Sequence, residues 1–206
     1  SSSTARIGVP AVFRSVAERF APHLANIAWL LADEPDQIAV PWYYTPGPTL
    51  TAEYDAFKAA SALPVLADFQ RAAWSSTSEV APYVQAVDFW MAEPYGDDFT
   101  SVNHAMDMFK SLKSRPTWLA QNAIDASLLV PKQYWAIIKG ATGILYFNWD
   151  EFKANPAKLD AVKQGFEEIN GLKSILFSRN VDSLVTGPAE IGHIARYDHG
   201  AVYIIA

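Results

Sequence analysis

The stretch IAWLLADEPDQ, from Ile27 to Gln37, decides the fold. An apolar run leads directly into Asp33 and Glu34, and Pro35 follows them. A short apolar run of this kind is typical of a strand that is buried on both faces of a parallel sheet. The two carboxylates at its end indicate that the strand presents acidic side chains at one edge of that sheet.

The same arrangement recurs along the chain. Apolar runs alternate with segments of helical spacing, which indicates parallel strands with helices packed outside them. One helix is expected over the segment PKQYWAIIKGA, with Pro131 in its first turn. After Arg179 the helical pattern ends, and two short strands are expected about a turn at 198–200. The five expected parallel strands lie in NIAWLLA, LPVLADFQ, AVDFWMAEPY, PTWLAQNA and TGILYFNWD.

Two architectures fit this alternation, the open doubly wound sheet and the (β/α)8 barrel. Neither GxGxxG nor GxxxxGK[ST] occurs, which disfavours a nucleotide-binding open sheet. Polar and aromatic residues recur at the strand ends, which meet at one mouth in a barrel. We therefore predict an α/β fold of TIM-barrel-like β/α units over residues 1–179, and an appended β segment over 180–206. A complete protein with an open sheet remains the alternative.

Composition limits the possible functions. The 206 residues are 50% hydrophobic and 18% charged, which predicts a globular chain with one sizeable core. The net charge of −6 argues against a nucleic-acid partner, which needs clustered Lys and Arg. The absence of cysteine excludes disulfides and thiolate metal sites. No apolar run reaches the roughly 18 residues of a membrane span. The compartment stays open, with a secreted or cell-surface location favoured.

A family resemblance joins several of these segments. WLLADEP, PVLADFQ, VDFWMAEPY, RPTWLAQ and GATGILYFNW together resemble the second half of a glycoside-hydrolase barrel of the large retaining clan. The resemblance covers roughly residues 27–150 and implies that these strands are strands four to eight of such a barrel. It implies a polysaccharide or oligosaccharide partner. A full barrel needs about 250 residues, so the chain is expected to be a piece, or a subunit that another chain completes with the missing strands.

The resemblance makes Glu34 the acid/base residue of a glycosidase. Such an acid must hold its proton near neutral pH, which burial or a neighbouring charge such as Asp33 can achieve. The alternative is that Glu34 caps a helix or forms a salt bridge within a loop.

The second carboxylate is less clear, because the clan has a Glu nucleophile on the strand that here contains Gln121. Glu93 is the best substitute, and Asp68 and Asp150 are poorer ones. As the base of an inverting mechanism, Glu93 would lie about 6.5–9.5 Å from Glu34. The alternative for Glu93 is a salt bridge to Arg71 or Lys132.

The other candidate residues are substrate contacts, and two readings of the function stay open. Trp42 and Trp149 are expected to form flat faces for sugar rings, whereas Trp90 and Trp118 are expected in the core. No HExxH or GxSxG motif occurs, so a metal-free and cofactor-free acid/base site is the simplest expectation. The protein is either a hydrolase or a non-catalytic glycan-binding or structural barrel. The remaining predicted contacts are Asp33, Asp68, Gln70, Tyr95 and Gln121.

Overall fold

The fold is built around five parallel strands in the order β1-β2-β3-β4-β5, which form a curled half-barrel. The computed structural model describes residues 10–23, 25–70, 74, 76–96, 99–122, 125–188 and 191–206. Each strand pairs with the next one along the chain, as the alternating sequence pattern predicts. The strands are β1 (Trp29–Asp33), β2 (Val65–Phe69), β3 (Phe89–Ala92), β4 (Thr117–Asn122) and β5 (Gly143–Phe147).

Helices precede, connect and follow the five strands. They are α1 (Pro10–Phe20), α2 (Gly47–Ala60), α3 (Thr77–Val80), α4 (Thr100–Leu112), α5 (Ala126–Ile138), α6 (Trp149–Ala154), α7 (Pro156–Gly171) and α8 (Lys173–Leu176). None of the helices within the described ranges is long and apolar enough to cross a lipid bilayer.

Side chains alternate between the two faces of the sheet, as they must in extended strands. On the outer face, Phe69, Trp90 and Leu119 join the main core with residues of α4 and α5. The ring of Trp90 stacks on Phe109 of α4 at a centroid distance of 4.8 Å. The inner face carries a smaller apolar cluster of Leu66, Phe89, Met91 and Ala120, against which Ala28 and Trp118 pack. The expectation that Trp90 and Trp118 pack in the core is confirmed.

The central strands are more deeply buried than the edge strands. Every residue of β2 and β3 is buried, whereas β1 and β5 are only partly covered. On the inner face, Leu30 of β1 and Leu145 and Phe147 of β5 are 55%, 40% and 57% exposed. Within the described residues, β1 pairs only with β2 and β5 only with β4. The half-barrel therefore has two open edges and an uncovered apolar margin.

The structure corrects one helix boundary. Helix α5 begins at Ala126, five residues before Pro131, so this proline lies inside the helix rather than in its first turn. The helix is capped by Asp125, whose carboxylate accepts hydrogen bonds from the backbone N–H and the hydroxyl of Ser127. The Asp125 cap starts the helix earlier than the proline suggested.

The C-terminal segment forms a separate antiparallel sheet of three strands. The expected hairpin is present as β7 (Ile194–Asp198) and β8 (Ala201–Ile205), which are joined through a turn at His199 and Gly200. A third strand, β6 (Arg179–Asn180), pairs with β7 and was not expected. The side chain of Arg196 on β7 contacts Asp182 at 3.0 Å and helps to hold the segment that follows β6.

Candidate carboxylate site

The candidate site begins at the turn that follows β1. Glu34 has a φ of +48°, a left-handed conformation that costs a non-glycine residue about 1–2 kcal/mol. Its backbone N–H donates to the Asp68 carbonyl oxygen at 2.9 Å, which ties the turn to the end of β2. The Tyr83 hydroxyl bonds to the carbonyl oxygens of Pro35 and Thr45 and fixes the loop beyond. Strained backbone of this kind, held by its surroundings, is common at functional sites.

Four carboxyl groups meet at the carboxyl ends of β1, β2 and β3. We call the carboxyl end of the whole five-stranded sheet the mouth. Asp33 and Asp68 are register partners on neighbouring strands, and Glu93 follows β3 directly. Oxygen atoms of Asp33, Asp68 and Glu93 lie within 4.8 Å of one another. Glu34 joins this group through a side-chain hydrogen bond with Glu93. The structure thus brings together the two predicted catalytic residues and two of the predicted substrate contacts.

Three of these carboxyl groups, those of Glu34, Asp68 and Glu93, hold protons unusually well. Burial raises the pKa of Glu34 from 4.5 to about 7, and its hydrogen bond with Glu93 and the charges of Glu93 and Asp33 add to this effect. Burial also raises the pKa of Asp68 and that of Glu93 to about 7. Two carboxylates cannot hydrogen-bond without a proton between them, so Glu34, Glu93 and Asp68 share protons and titrate together.

The hydrogen bonds give the cluster a direction. The contact between Glu34 and Glu93 favours the proton on Glu34, and the contact between Glu93 and Asp68 favours the proton on Glu93. The Tyr95 hydroxyl donates to Glu93 Oε1 at 2.6 Å and also favours the ionised form of Glu93. Glu34 thus holds a proton in preference to Glu93, and Glu93 holds one in preference to Asp68.

Two further residues line the mouth that the sequence did not single out. The Phe147 ring stacks on Tyr95 at a centroid distance of 6.4 Å and an angle of 19°. Asn122 Oδ1 accepts a hydrogen bond of 3.3 Å from the backbone N–H of Gly96. Strand alternation could have found both, because each is at the inner-facing end of its strand.

The remaining predicted contacts are less close to the carboxyl cluster. Gln70 accepts a hydrogen bond of 2.5 Å from Gln37, whose own bond to Glu34 connects it with the cluster. Gln121 is fully buried and lies on the same strand face as Leu119, toward the helices. Trp42 and Trp149 are 71% and 63% exposed, and Trp42 packs against Tyr43. The described contacts link neither tryptophan to the carboxylates.

The alternative role predicted for Glu93 is a salt bridge to Arg71 or Lys132, and the described residues test it for Lys132. The buried Lys132 ammonium donates to the carbonyl oxygens of Pro94 and Gly96, both at 2.7 Å, and thereby holds the loop after β3. The ion pairs between described residues do not include one from Glu93 to Lys132. Arg71, the other expected partner, lies outside the described residues. Among the described residues, the side chains shown in contact with Glu93 are those of Tyr95 and of the other carboxyl groups.

The cluster also has a spacing that suits a metal ion. Asp33, Asp68 and Glu93 offer three carboxylate oxygens, the ligand type that Ca²⁺ and Mg²⁺ prefer. The sequence predicted no metal, and acidic groups with this spacing also occur without one. The raised pKa values show that protons can balance the same charge.

The chain was compared with known proteins. No protein-family model matches it, and a search of curated proteins finds no significant match. The half-barrel and the geometry of its mouth therefore provide the physical basis for a functional assignment.

Proposed function

We propose that this protein is carbohydrate-active and cleaves glycosidic bonds by carboxylate general acid/base chemistry. Glu34 is the general acid that protonates the leaving oxygen, and Glu93 is the second carboxylate. The observation that carries the proposal is the cluster of buried and partly buried carboxyl groups, Glu34 and Glu93 among them, at the carboxyl ends of three neighbouring parallel strands. Glycosidases need two carboxyl groups in opposite protonation states, and two groups that share a proton can supply such a pair.

The pKa of Glu34 supports this assignment. A general acid works best when its pKa is near the working pH, and that of Glu34 is raised to about 7. Tyr95 favours the ionised form of Glu93, as a base or nucleophile requires. The charge of Asp68 acts in the opposite direction and raises the pKa of Glu93.

The distance between the two carboxyl groups changes during the proposed reaction. Glu34 and Glu93 are in hydrogen-bonding contact, closer than the about 5–5.5 Å of retaining enzymes or the about 6.5–9.5 Å of inverting ones. Glu93 is buried, whereas Glu34 is only partly buried and follows a strained turn. A sugar that enters the mouth displaces the Glu34 side chain from Glu93, which opens the space for the glycosidic bond.

The second candidate is a non-catalytic barrel that binds glycans or has a structural role. The observation that favours it is the end of β4, where the resemblance expects a Glu nucleophile. Both residues there, the buried Gln121 and the inner-facing Asn122, are amides and cannot attack a sugar carbon. In this candidate the aromatic residues at the mouth bind a glycan, and we expect binding without turnover.

Replacement of Glu34 separates the two candidates. We expect Glu34→Gln to lower the hydrolysis rate on a panel of aryl glycosides by about 100-fold or more, because the amide cannot donate the proton. Glu167→Gln is the matched control, since Glu167 is an exposed residue of α7 and should leave the rate unchanged. Unchanged hydrolysis in Glu34→Gln contradicts the enzyme proposal, and binding without hydrolysis in the wild type favours the second candidate.

We also propose that another chain supplies strands that complete the barrel. The support is the pair of open edges at β1 and β5 and the exposed Leu30, Leu145 and Phe147. Helix α1 adds a second uncovered stripe, because Val12, Val16 and Phe20 are exposed while Phe13 and Ala17 pack toward Phe57. The native particle mass from sedimentation tests this proposal, and a monomer of 22.7 kDa contradicts it.

A further inference from the structure

The carboxyl cluster has no counter-charge among the described residues. Asp33, Glu34, Asp68 and Glu93 take part in none of the ion pairs that the described chain forms. Other carboxylates are neutralised locally; for example, Asp88 contacts the Lys58 ammonium at 3.0 Å. The mouth therefore concentrates carboxyl groups whose charge either bound protons or a cationic ligand must balance.

Two of the buried carboxyl groups each have one oxygen without an N–H or O–H donor. Asp68 is 4% exposed and Glu93 is 6% exposed, yet Asp68 Oδ1 and Glu93 Oε2 have none. A buried polar atom without a partner costs about 1–3 kcal/mol, and more when it is charged. Because both side chains belong to the group whose oxygens lie within 4.8 Å, a ligand with N–H donors could satisfy both.

An aromatic surface lies beside this charge. Tyr95, which bonds to Glu93, stacks with Phe147, and Phe147 is more than half exposed. Aromatic rings attract cations through their negatively charged faces, and sugars also pack on such rings. Carboxylates next to an aromatic pair fit a ligand that has both a ring and an ammonium group.

We propose that the substrate is a cationic glycan whose sugars carry free amino groups. This inference rests on the proposed function and specifies the substrate class of that same site. An ammonium group beside Asp68 and Glu93 balances their charge and donates to their unpartnered oxygens, while the sugar ring packs on the aromatic pair. Uronic acids and sulfated sugars are excluded, because their negative charge meets four carboxyl groups.

Matched sugars test the inference. Calorimetry at low ionic strength with EDTA present compares methyl glycosides of glucosamine and galactosamine with their N-acetyl and neutral 2-hydroxy forms. We expect the amino sugars to bind at least about tenfold more tightly. In Asp68→Asn this preference should shrink to about threefold or less, and added salt should weaken it in the wild type. Glu167→Gln should keep the full preference, and circular dichroism confirms that both variants are folded.

Each alternative outcome has a distinct meaning. Equal binding of amino, N-acetyl and neutral sugars overturns the cationic substrate but leaves the glycan proposal standing. Binding of none of the sugars, together with no hydrolysis of the aryl glycosides, overturns both. Methylammonium that binds as tightly as the amino sugars shows a general amine site and overturns the glycan part. Ca²⁺ that binds when EDTA is omitted, without any amino-sugar preference, assigns the cluster to a metal and overturns the inference.

Discussion

Carboxylates at the two ends of the same sheet have opposite hydrogen-bonding environments. At the amino end, Asp88 accepts hydrogen bonds from the Tyr54 hydroxyl, the Lys58 ammonium and the Val65 backbone N–H. At the carboxyl end, Asp68 is more deeply buried and has an oxygen without any partner. The pKa of Asp88 is lowered by its partners despite some burial, and that of Asp68 is raised by burial.

This difference separates stability from function. In β/α barrels the amino end of the strands contributes mainly to stability, and the active site lies at the carboxyl end. The polar groups at the amino end here have hydrogen-bond partners. The Arg115 guanidinium donates to the Val87 carbonyl oxygen, and the Trp90 indole N–H donates to the Lys113 carbonyl oxygen. The carboxyl end keeps unfavourable charge within the fold. Substitutions at the two ends should therefore change stability with opposite signs.

The largest expected effect is at the amino end. We expect Asp88→Ala to lower the free energy of unfolding by about 2 kcal/mol or more, because three donors lose their acceptor and one of them is an ammonium. Urea denaturation at pH 7 measures the change. Asp55→Ala, at an exposed position of α2, is the control and should change stability by less than about 0.5 kcal/mol. Similar losses in both variants would contradict the structural role of the amino end.

The sequence predicted the strands well because burial is visible in their composition. VLADF and FWMA are uniformly buried, and both were predicted as strands. The sequence also predicted that Asp33, Asp68 and Glu93 follow their strands at one edge, since parallel strands bring their ends together. The early start of α5 was missed, because the Asp125 cap outweighs the signal from Pro131.

The details of the site were harder to predict, because they depend on side-chain direction and on backbone irregularity. Gln121 was expected in the mouth, but it shares the face of Leu119 and is buried toward the helices. Counting alternate residues along β4 would have selected Asn122 instead. Strand β1 cannot be read in this way, because its register shifts between Leu30 and Ala32. The left-handed backbone of Glu34 has no signal in the sequence, since only tertiary contacts hold it.

The smaller expected effect is at the carboxyl end, and it depends on pH. The folded pKa of Asp68, about 7, is above its ordinary value of 3.8, so the folded state binds more protons between these values. Asp68 therefore destabilises the fold progressively as pH rises from about 4 to 7, by up to about 1.4 kcal/mol per pH unit for one proton. Above pH 7 the full cost is present, and below about pH 4 it is absent.

Asp68→Asn should remove the Asp68 part of this slope. We expect the variant to be more stable than the wild type by about 1 kcal/mol near pH 8, less than the pKa shift alone suggests because a buried amide also needs partners. Near pH 4 the order should reverse, because the charge cost of Asp68 is then absent from the wild type while the buried amide of the variant still needs partners. Thermal unfolding from pH 4 to 8 measures both curves. In Asp88→Ala the loss of stability should instead stay constant over this range, because the lowered pKa of Asp88 keeps its carboxylate ionised from pH 4 to 8 in the wild type. Parallel stability curves for wild type and Asp68→Asn would show that the mouth holds no unfavourable charge. They would also contradict the proposed difference between the two ends of the sheet.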